Sequence, residues 1–126
     1  MPAEPAAARP QPPYYAAILS TWRTDEDPDG YADMGARMVQ LAEAQPGYLG
    51  RDSLEGPDGH ELSVVYYDTE EAIRRWAEHA EHLVAQRLGR ERWYEAYEVR
   101  IARVERAYHF QRKQEDLPEG GDLPAA

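Results

Sequence analysis

Residues 69–93, TEEAIRRWAEHAEHLVAQRLGRERW, decide the fold. Thr69 offers an N-cap oxygen, and Glu70 and Glu71 put carboxylates in the first turn, where they favour the helix dipole. Ala72, Ile73, Trp76, Ala77, Ala80, Leu83 and Val84 recur at helical spacing and predict one apolar stripe on one continuous helix. Gly89 has the place of a C′ stop, with Arg87, Arg90 and Arg92 around the negative end. At about 100° per residue, Trp76 lies within the stripe and His79 on its edge. Arg75, His79, His82 and Gln86 form a flank beside the tryptophan, with His82 farther from the stripe than His79. A helix with a single apolar stripe needs a sheet to cover, and the flanking sequence supplies one.

Just upstream, residues 60–68 (HELSVVYYD) read as a strand, and residues 48–56 (YLGRDSLEG) as a weaker one. Pro57-Asp58-Gly59 between them is turn chemistry, so 48–68 predicts a hairpin. Residues 30–45 carry Tyr31, Met34, Met38, Leu41 and Ala42 on one helical stripe, closed by Pro46-Gly47. An aspartate of the preceding TDEDPDG loop should cap that helix. Residues 14–22 (YYAAILSTW) form a first strand that is uncharged on both faces. Downstream, residues 93–110 contain a fourth strand, rich in β-branched and aromatic residues, although the arginines there lend some weight to a helix.

The order is β-α-β-β-α-β, the α+β ferredoxin-like unit, with an antiparallel four-stranded sheet and both helices on one face. The first and third strands look apolar on both faces, so the second face also needs cover, and a homodimer packed sheet to sheet would supply it. Residues 1–13 and 111–126 are rich in Ala, Pro, Gly and charge and read as flexible tails around a domain at 14–110.

The formal charge of −10 excludes a phosphate-tracking nucleic-acid binder. No apolar run is long enough for a membrane span and no signal peptide is legible, so a cytoplasmic location is expected. With no cysteine, there is no disulfide, thiolate nucleophile or cysteine–metal site.

Three pieces carry a family resemblance: Pro46-Gly47-Tyr48-Leu49-Gly50; the run from Tyr66-Tyr67-Asp68 to Trp76-Ala77-Glu78-His79; and Tyr97 through Tyr108, YEVRIARVERAY. Over residues 14–108 the chain resembles the antibiotic biosynthesis monooxygenase domain family, whose fold is the dimeric α+β barrel. The resemblance implies oxidation of an electron-rich aromatic or quinol-type molecule by O2, with neither metal nor flavin as cofactor. It also implies a pocket between helices and sheet, with Trp76 at the position of a lining tryptophan. Relatives bind and degrade haem. Haem degraders and polyketide-oxidising members both use a pocket asparagine. This chain contains no asparagine, so that role is vacant or falls to another residue type.

Such chemistry needs a base titrating near neutrality, a dry apolar wall and donors for developing oxyanions. His79, one turn from Trp76, is the candidate base, with His82 one turn beyond it. Structurally, His79 also reads as a partly buried helix histidine and Trp76 as core. As a metal pair, His79 and His82 lack a third ligand placed by sequence, and no metal site is expected. Met34 and Met38, with Tyr66 on the third strand and Trp93 at the end of the helix, are candidates for substrate contact. The leading expectation is a cofactor-independent monooxygenase. The alternatives are a non-catalytic ligand-binding or stress-associated dimer and, third, a haem-binding relative.

Overall fold

A computed structural model describes residues 10–112. The outer parts of the expected tails, residues 1–9 and 113–126, lie outside the described residues. The elements run β1 (Tyr14–Arg23), α1 (Pro28–Glu43), β2 (Tyr48–Glu55), β3 (His60–Tyr67), α2 (Glu70–Ala77), α3 (Ala80–Leu88) and β4 (Tyr94–Val104). A 3-10 turn, Pro57–Gly59, joins β2 to β3, and a π-helical turn, Gly89–Trp93, joins α3 to β4. The sheet is antiparallel in the order β2-β3-β1-β4, as the ferredoxin-like reading requires.

Local chemistry sets the boundaries. Asp27 caps α1: its carboxylate accepts from the Gly30 N–H at 3.2 Å, and Pro28 occupies the first turn, where its missing donor costs nothing. At the other end, Gly47 takes φ +90, and the Asp68 N–H donates to its carbonyl at 2.9 Å. A side chain at Gly47 would strike Asp68 and the Ala72 Cβ, so glycine lets the α1–β2 turn seat against the start of α2. In the hairpin, Asp58 and Gly59 both take positive φ, and the Gly56 N–H closes the turn on the His60 carbonyl.

Both α1 and α2 cover the same face of the sheet. The core there is Ala42 of α1, Tyr67 of β3 and Ala72, Ile73 and Trp76 of α2, with Tyr15, Ala17 and Val65 beneath. Register explains the choice of face: Tyr15 pairs with Tyr67 and Ala17 with Val65, so these side chains share one side. The alternate residues, including Tyr14, Ile18, Trp22, Leu62 and Tyr66, point to the opposite, helix-free side.

The predicted single helix is two. Glu78 and His79 interrupt it, with His79 in extended backbone at ψ 136. Side chains satisfy the groups this break exposes. The Glu81 N–H donates to His79 Nδ1 at 3.2 Å, which caps α3. His82 Nδ1 lies 2.9 Å from the Trp76 carbonyl, and Gln86 Nε2 donates to the Ala77 carbonyl at 3.1 Å. The freed carbonyls of α2 are therefore bonded by residues of α3. The stripe ends at Trp76 in consequence, and Leu83 and Val84, expected to be buried, are exposed at 49% and 41%.

Gly89 is likewise not the left-handed stop expected. It has φ −59, and glycine is needed because a Cβ would lie 2.8 Å from the Tyr94 ring.

Candidate functional site

An open cleft of about 420 Å³ lies between α1, α3 and the π turn. Its apolar surface comes from Met34, Leu88 and Trp93, and Gly30 leaves room beside them. Charge surrounds it: Asp27 and Asp33 on α1, then Arg37 facing Glu81, then Arg92. The Arg37–Glu81 pair bridges α1 to α3 with two hydrogen bonds, at 3.0 and 3.3 Å.

Trp93 is held by several contacts. It is 4% exposed, and its indole Nε1–H points to Asp27 Oδ2 at 3.4 Å. Thr24 anchors the π turn, donating its hydroxyl to the Arg92 carbonyl at 2.6 Å and its N–H to the Trp93 carbonyl at 2.8 Å. Arg92 pairs with Glu26 at 2.9 Å and Asp27 at 3.4 Å. The five-residue winding of the turn thus carries Trp93 off the line of α3 and into the cleft.

Beside Trp93 lies a phenol cluster. Tyr31 meets Trp93 edge-on at 5.7 Å and Tyr94 edge-on at 5.8 Å, centroid to centroid. The Tyr31 hydroxyl donates to Glu61 at 3.1 Å, and the Arg23 guanidinium sits 3.8 Å over its ring. Burial, then the neighbouring Tyr94 and Glu61, holds the Tyr31 phenol well above its ordinary value. Burial raises Tyr94 as well.

Among the residues expected to contact substrate, Met34 and Trp93 line this cleft. Met38 packs against the core instead. Tyr66 is on the other side of the sheet: its ring meets Tyr14, and its hydroxyl donates to Asp52. Alternation along β3 puts Tyr67, not Tyr66, toward the helices, so Tyr66 cannot wall a pocket there.

Trp76, His79 and His82 are brought together, but away from the residues lining the cleft. The expected order of distances is reversed. His82 stacks on Trp76 at 4.2 Å and 14°, whereas His79 is tilted at 5.5 Å. The break in the helix causes this, because the 100° phase does not carry through it. Burial lowers the His82 pKa; the Trp76 carbonyl opposes that and nearby His79 adds to it. The tautomers also differ. A carbonyl can only accept, so His82 Nδ1 carries the proton and Nε2 is the basic nitrogen. His79 Nδ1 accepts from a backbone N–H, which puts the proton of its neutral form on Nε2. Among the described residues, no group of three or more His, Asp or Glu is placed to hold a metal ion.

Sequence reading missed Asp27, Arg37, Glu81 and Leu88 as cleft residues, and Tyr31, Glu61 and Tyr94 as a cluster. The Asp27 cap was legible as one of several aspartates. The pairings Arg37–Glu81 and Tyr31–Glu61 join distant parts of the chain and leave no local signal.

The fold places the chain in a class, that of proteins with the antibiotic biosynthesis monooxygenase fold. A putative antibiotic biosynthesis monooxygenase from Nitrosomonas europaea superposes with a TM-score of 0.65 at 14% identity, over 75% of this chain and 92% of that one. SnoaB, a cofactor-independent oxygenase from Streptomyces nogalater, superposes with a TM-score of 0.61 at 17% identity, over 86% of this chain and 100% of that one. No family model matches the chain. In sequence it is 45% identical over 107 residues to the uncharacterized protein YqjZ of Bacillus subtilis, 85% of this chain and 93% of that protein. The chain belongs to the family of YqjZ. No helix among the described residues is long and apolar enough to cross a membrane.

Proposed function

We propose that the protein is a cofactor-independent oxygenase for a small aromatic or quinol-type molecule, bound in the cleft between α1 and α3. The observation that carries this reading is the cleft itself: a fixed indole, a thioether and a leucine beside a rim of mixed charge. A planar ring fits against Trp93 and Met34, because thioether and indole surfaces accept aromatic partners of varied shape. Arg37 and Arg92 offer donors to the substrate's anion, the form that reduces O2, while each stays paired with a carboxylate. The substrate supplies all the electrons: a phenol loses its hydroxyl hydrogen and the hydrogen of its para carbon, that carbon becomes a carbonyl with one oxygen of O2, and the other oxygen leaves as water. Trp76, His79 and His82 lie outside the cleft lining, so the cleft itself does not bring a histidine base to the substrate. The same reading takes the working unit as a homodimer, since the helix-free side of the sheet leaves Trp22, Leu54 and Leu62 exposed.

Oxygen uptake with a panel of hydroquinones and naphthols tests the activity. Met34→Trp, which fills the cleft from its partly exposed wall, should raise KM about tenfold or more, the loss of about 1.4 kcal/mol of substrate binding. Uptake that is unchanged in Met34→Trp places the chemistry elsewhere. Saturable binding with no uptake favours the non-catalytic ligand-binding reading.

A further inference from the structure

We infer that Trp93, Tyr31, Tyr94 and Tyr97 form a proton-coupled electron relay that carries oxidising equivalents from the cleft to the surface. Four aromatic rings stand in sequence. Trp93 lines the cleft. Tyr31 is 5.7 Å from it, Tyr94 is 5.8 Å from Tyr31, and Tyr97 is 6.0 Å from Tyr94, all edge-on. The last ring is 43% exposed. At such separations the rings are in edge contact, and each step is a short electron transfer.

Ring contact alone is common; the proton acceptors distinguish this row. An indole or phenol oxidised without losing its proton becomes a strongly acidic radical cation, and a carboxylate at hydrogen-bond distance relieves that cost. Trp93 Nε1–H points to Asp27 Oδ2 at 3.4 Å, and the Tyr31 hydroxyl donates to Glu61 Oε1 at 3.1 Å. Ser53 donates to the other Glu61 oxygen at 3.0 Å, which fixes the acceptor in place. The Tyr94 hydroxyl lies 3.5 Å from that of Tyr31, so the second phenol reaches the same carboxylate through the first. The Arg23 guanidinium 3.8 Å above the Tyr31 ring disfavours a radical cation there. Electron and proton therefore leave Tyr31 together, which yields a neutral phenoxyl radical.

A one-electron oxidant in the cleft, of the peroxyl or semiquinone-radical class, gains an electron from Trp93 and a proton from solvent. Trp93 gives its N–H proton to Asp27. An electron from Tyr31 refills Trp93, the indole proton returns from Asp27, and the Tyr31 proton passes to Glu61. Tyr94 then passes an electron and its hydroxyl proton to the Tyr31 phenoxyl; Tyr97 gives an electron to Tyr94 and its own proton to solvent, the proton held by Glu61 returns through Tyr31 to Tyr94, and a small-molecule thiol gives a hydrogen atom to Tyr97 at the surface and leaves as a thiyl radical. The relay would clear radicals that escape productive oxygenation. It rests on the proposed oxygenase only for the natural source of the oxidant.

The chain has no cysteine, so Asp33→Cys places a single thiol at the cleft for a ruthenium polypyridyl photo-oxidant. Flash oxidation supplies the hole by light, independent of any substrate. Electron paramagnetic resonance should record a neutral tyrosyl radical, and mass spectrometry of trapped products should find it on Tyr97. Tyr31→Phe should reduce Tyr97 oxidation to that of irradiated, unlabelled protein. Glu61→Gln keeps the shape but not the basicity, and should slow tyrosyl formation about 10²-fold, the lower end of what a positioned proton acceptor contributes. Thermal melts establish that both variants are folded, and the Gln variant serves if the Phe variant is not. Equal Tyr97 oxidation with and without Tyr31, or a tyrosyl rate unaffected by Glu61→Gln, would overturn the relay. If substrate oxidation fails while the light-driven relay runs, the oxygenase reading alone is lost.

Discussion

His82 is the residue whose role depends most on its surroundings. It stacks on Trp76 and bonds the carbonyl that the helix break leaves open. Because burial depresses its folded pKa below the ordinary 6.5, the unfolded chain binds more protons in that range. Stability from this site is complete above 6.5 and is lost as pH falls through the lower, folded value. Urea midpoints should therefore drop from pH 7 toward pH 5, and His82→Gln, which keeps a donor but cannot titrate, should flatten the drop. An unchanged slope would mean that His82 is as readily protonated folded as unfolded. Tyr67 makes the opposite case. It is fully buried, its hydroxyl has no hydrogen-bond partner among the described residues, and burial pushes its pKa up to about 12. Removing an unsatisfied buried hydroxyl relieves a desolvation cost of about 1–3 kcal/mol. Tyr67→Phe should accordingly raise the urea midpoint, and a clear fall would reveal a partner for that oxygen.

Among the elements, the break between α2 and α3 and the π turn after α3 together make the cleft. The break directs α3 toward α1, where Glu81 meets Arg37; the turn then brings Trp93 back under α1. That ion pair is about half exposed on both sides and contributes little to stability, under about 1 kcal/mol. Its consequence is positional, since it spans the cleft between two helices. The turn is held more firmly, by Thr24, Arg92 and the close fit of Gly89 on Tyr94. A methyl group at Gly89 has ordinary backbone angles and no room, so Gly89→Ala tests packing alone. It should cost about 1–3 kcal/mol, typical of overpacking, and lower the melting temperature by several degrees. Wild-type stability in Gly89→Ala would show that the Tyr94 ring yields freely.

For the whole molecule, the helix-free side of the sheet sets the expectation for assembly. Trp22 stacks on His60 there, with Trp22 36%, Leu62 40% and Leu54 75% exposed. The proposed homodimer would cover this side and bury more than about 1,000 Å², the lower limit for a specific interface. Light scattering at micromolar concentration should give twice the chain mass. Leu62→Glu, which puts charge at the middle of that surface, should shift it to the monomer. A monomer mass for the unmodified chain would end the proposal.

The sequence by itself determined the order of the strands and helical regions and the antiparallel unit. These follow from periodicity, and periodicity is local. Pro46-Gly47, Pro57-Asp58-Gly59 and the Thr69 cap were legible for the same reason: each is a backbone preference carried by one or two residues. The candidate site was legible only in part. Met34 and Trp93 line the cleft, while Tyr66 lies on the other side of the sheet, since a strand uncharged on both faces does not reveal which one the helices cover. Tertiary structure decided the rest. Residues 69–93 have continuous helical periodicity, and nothing local announces that Glu78 and His79 leave the helix. The break is stable because His82 and Gln86 bond the carbonyls it exposes and Arg37 holds α3 from another helix. Those contacts exist only once the chain has folded, so the phase that put His79 ahead of His82 could not hold across them.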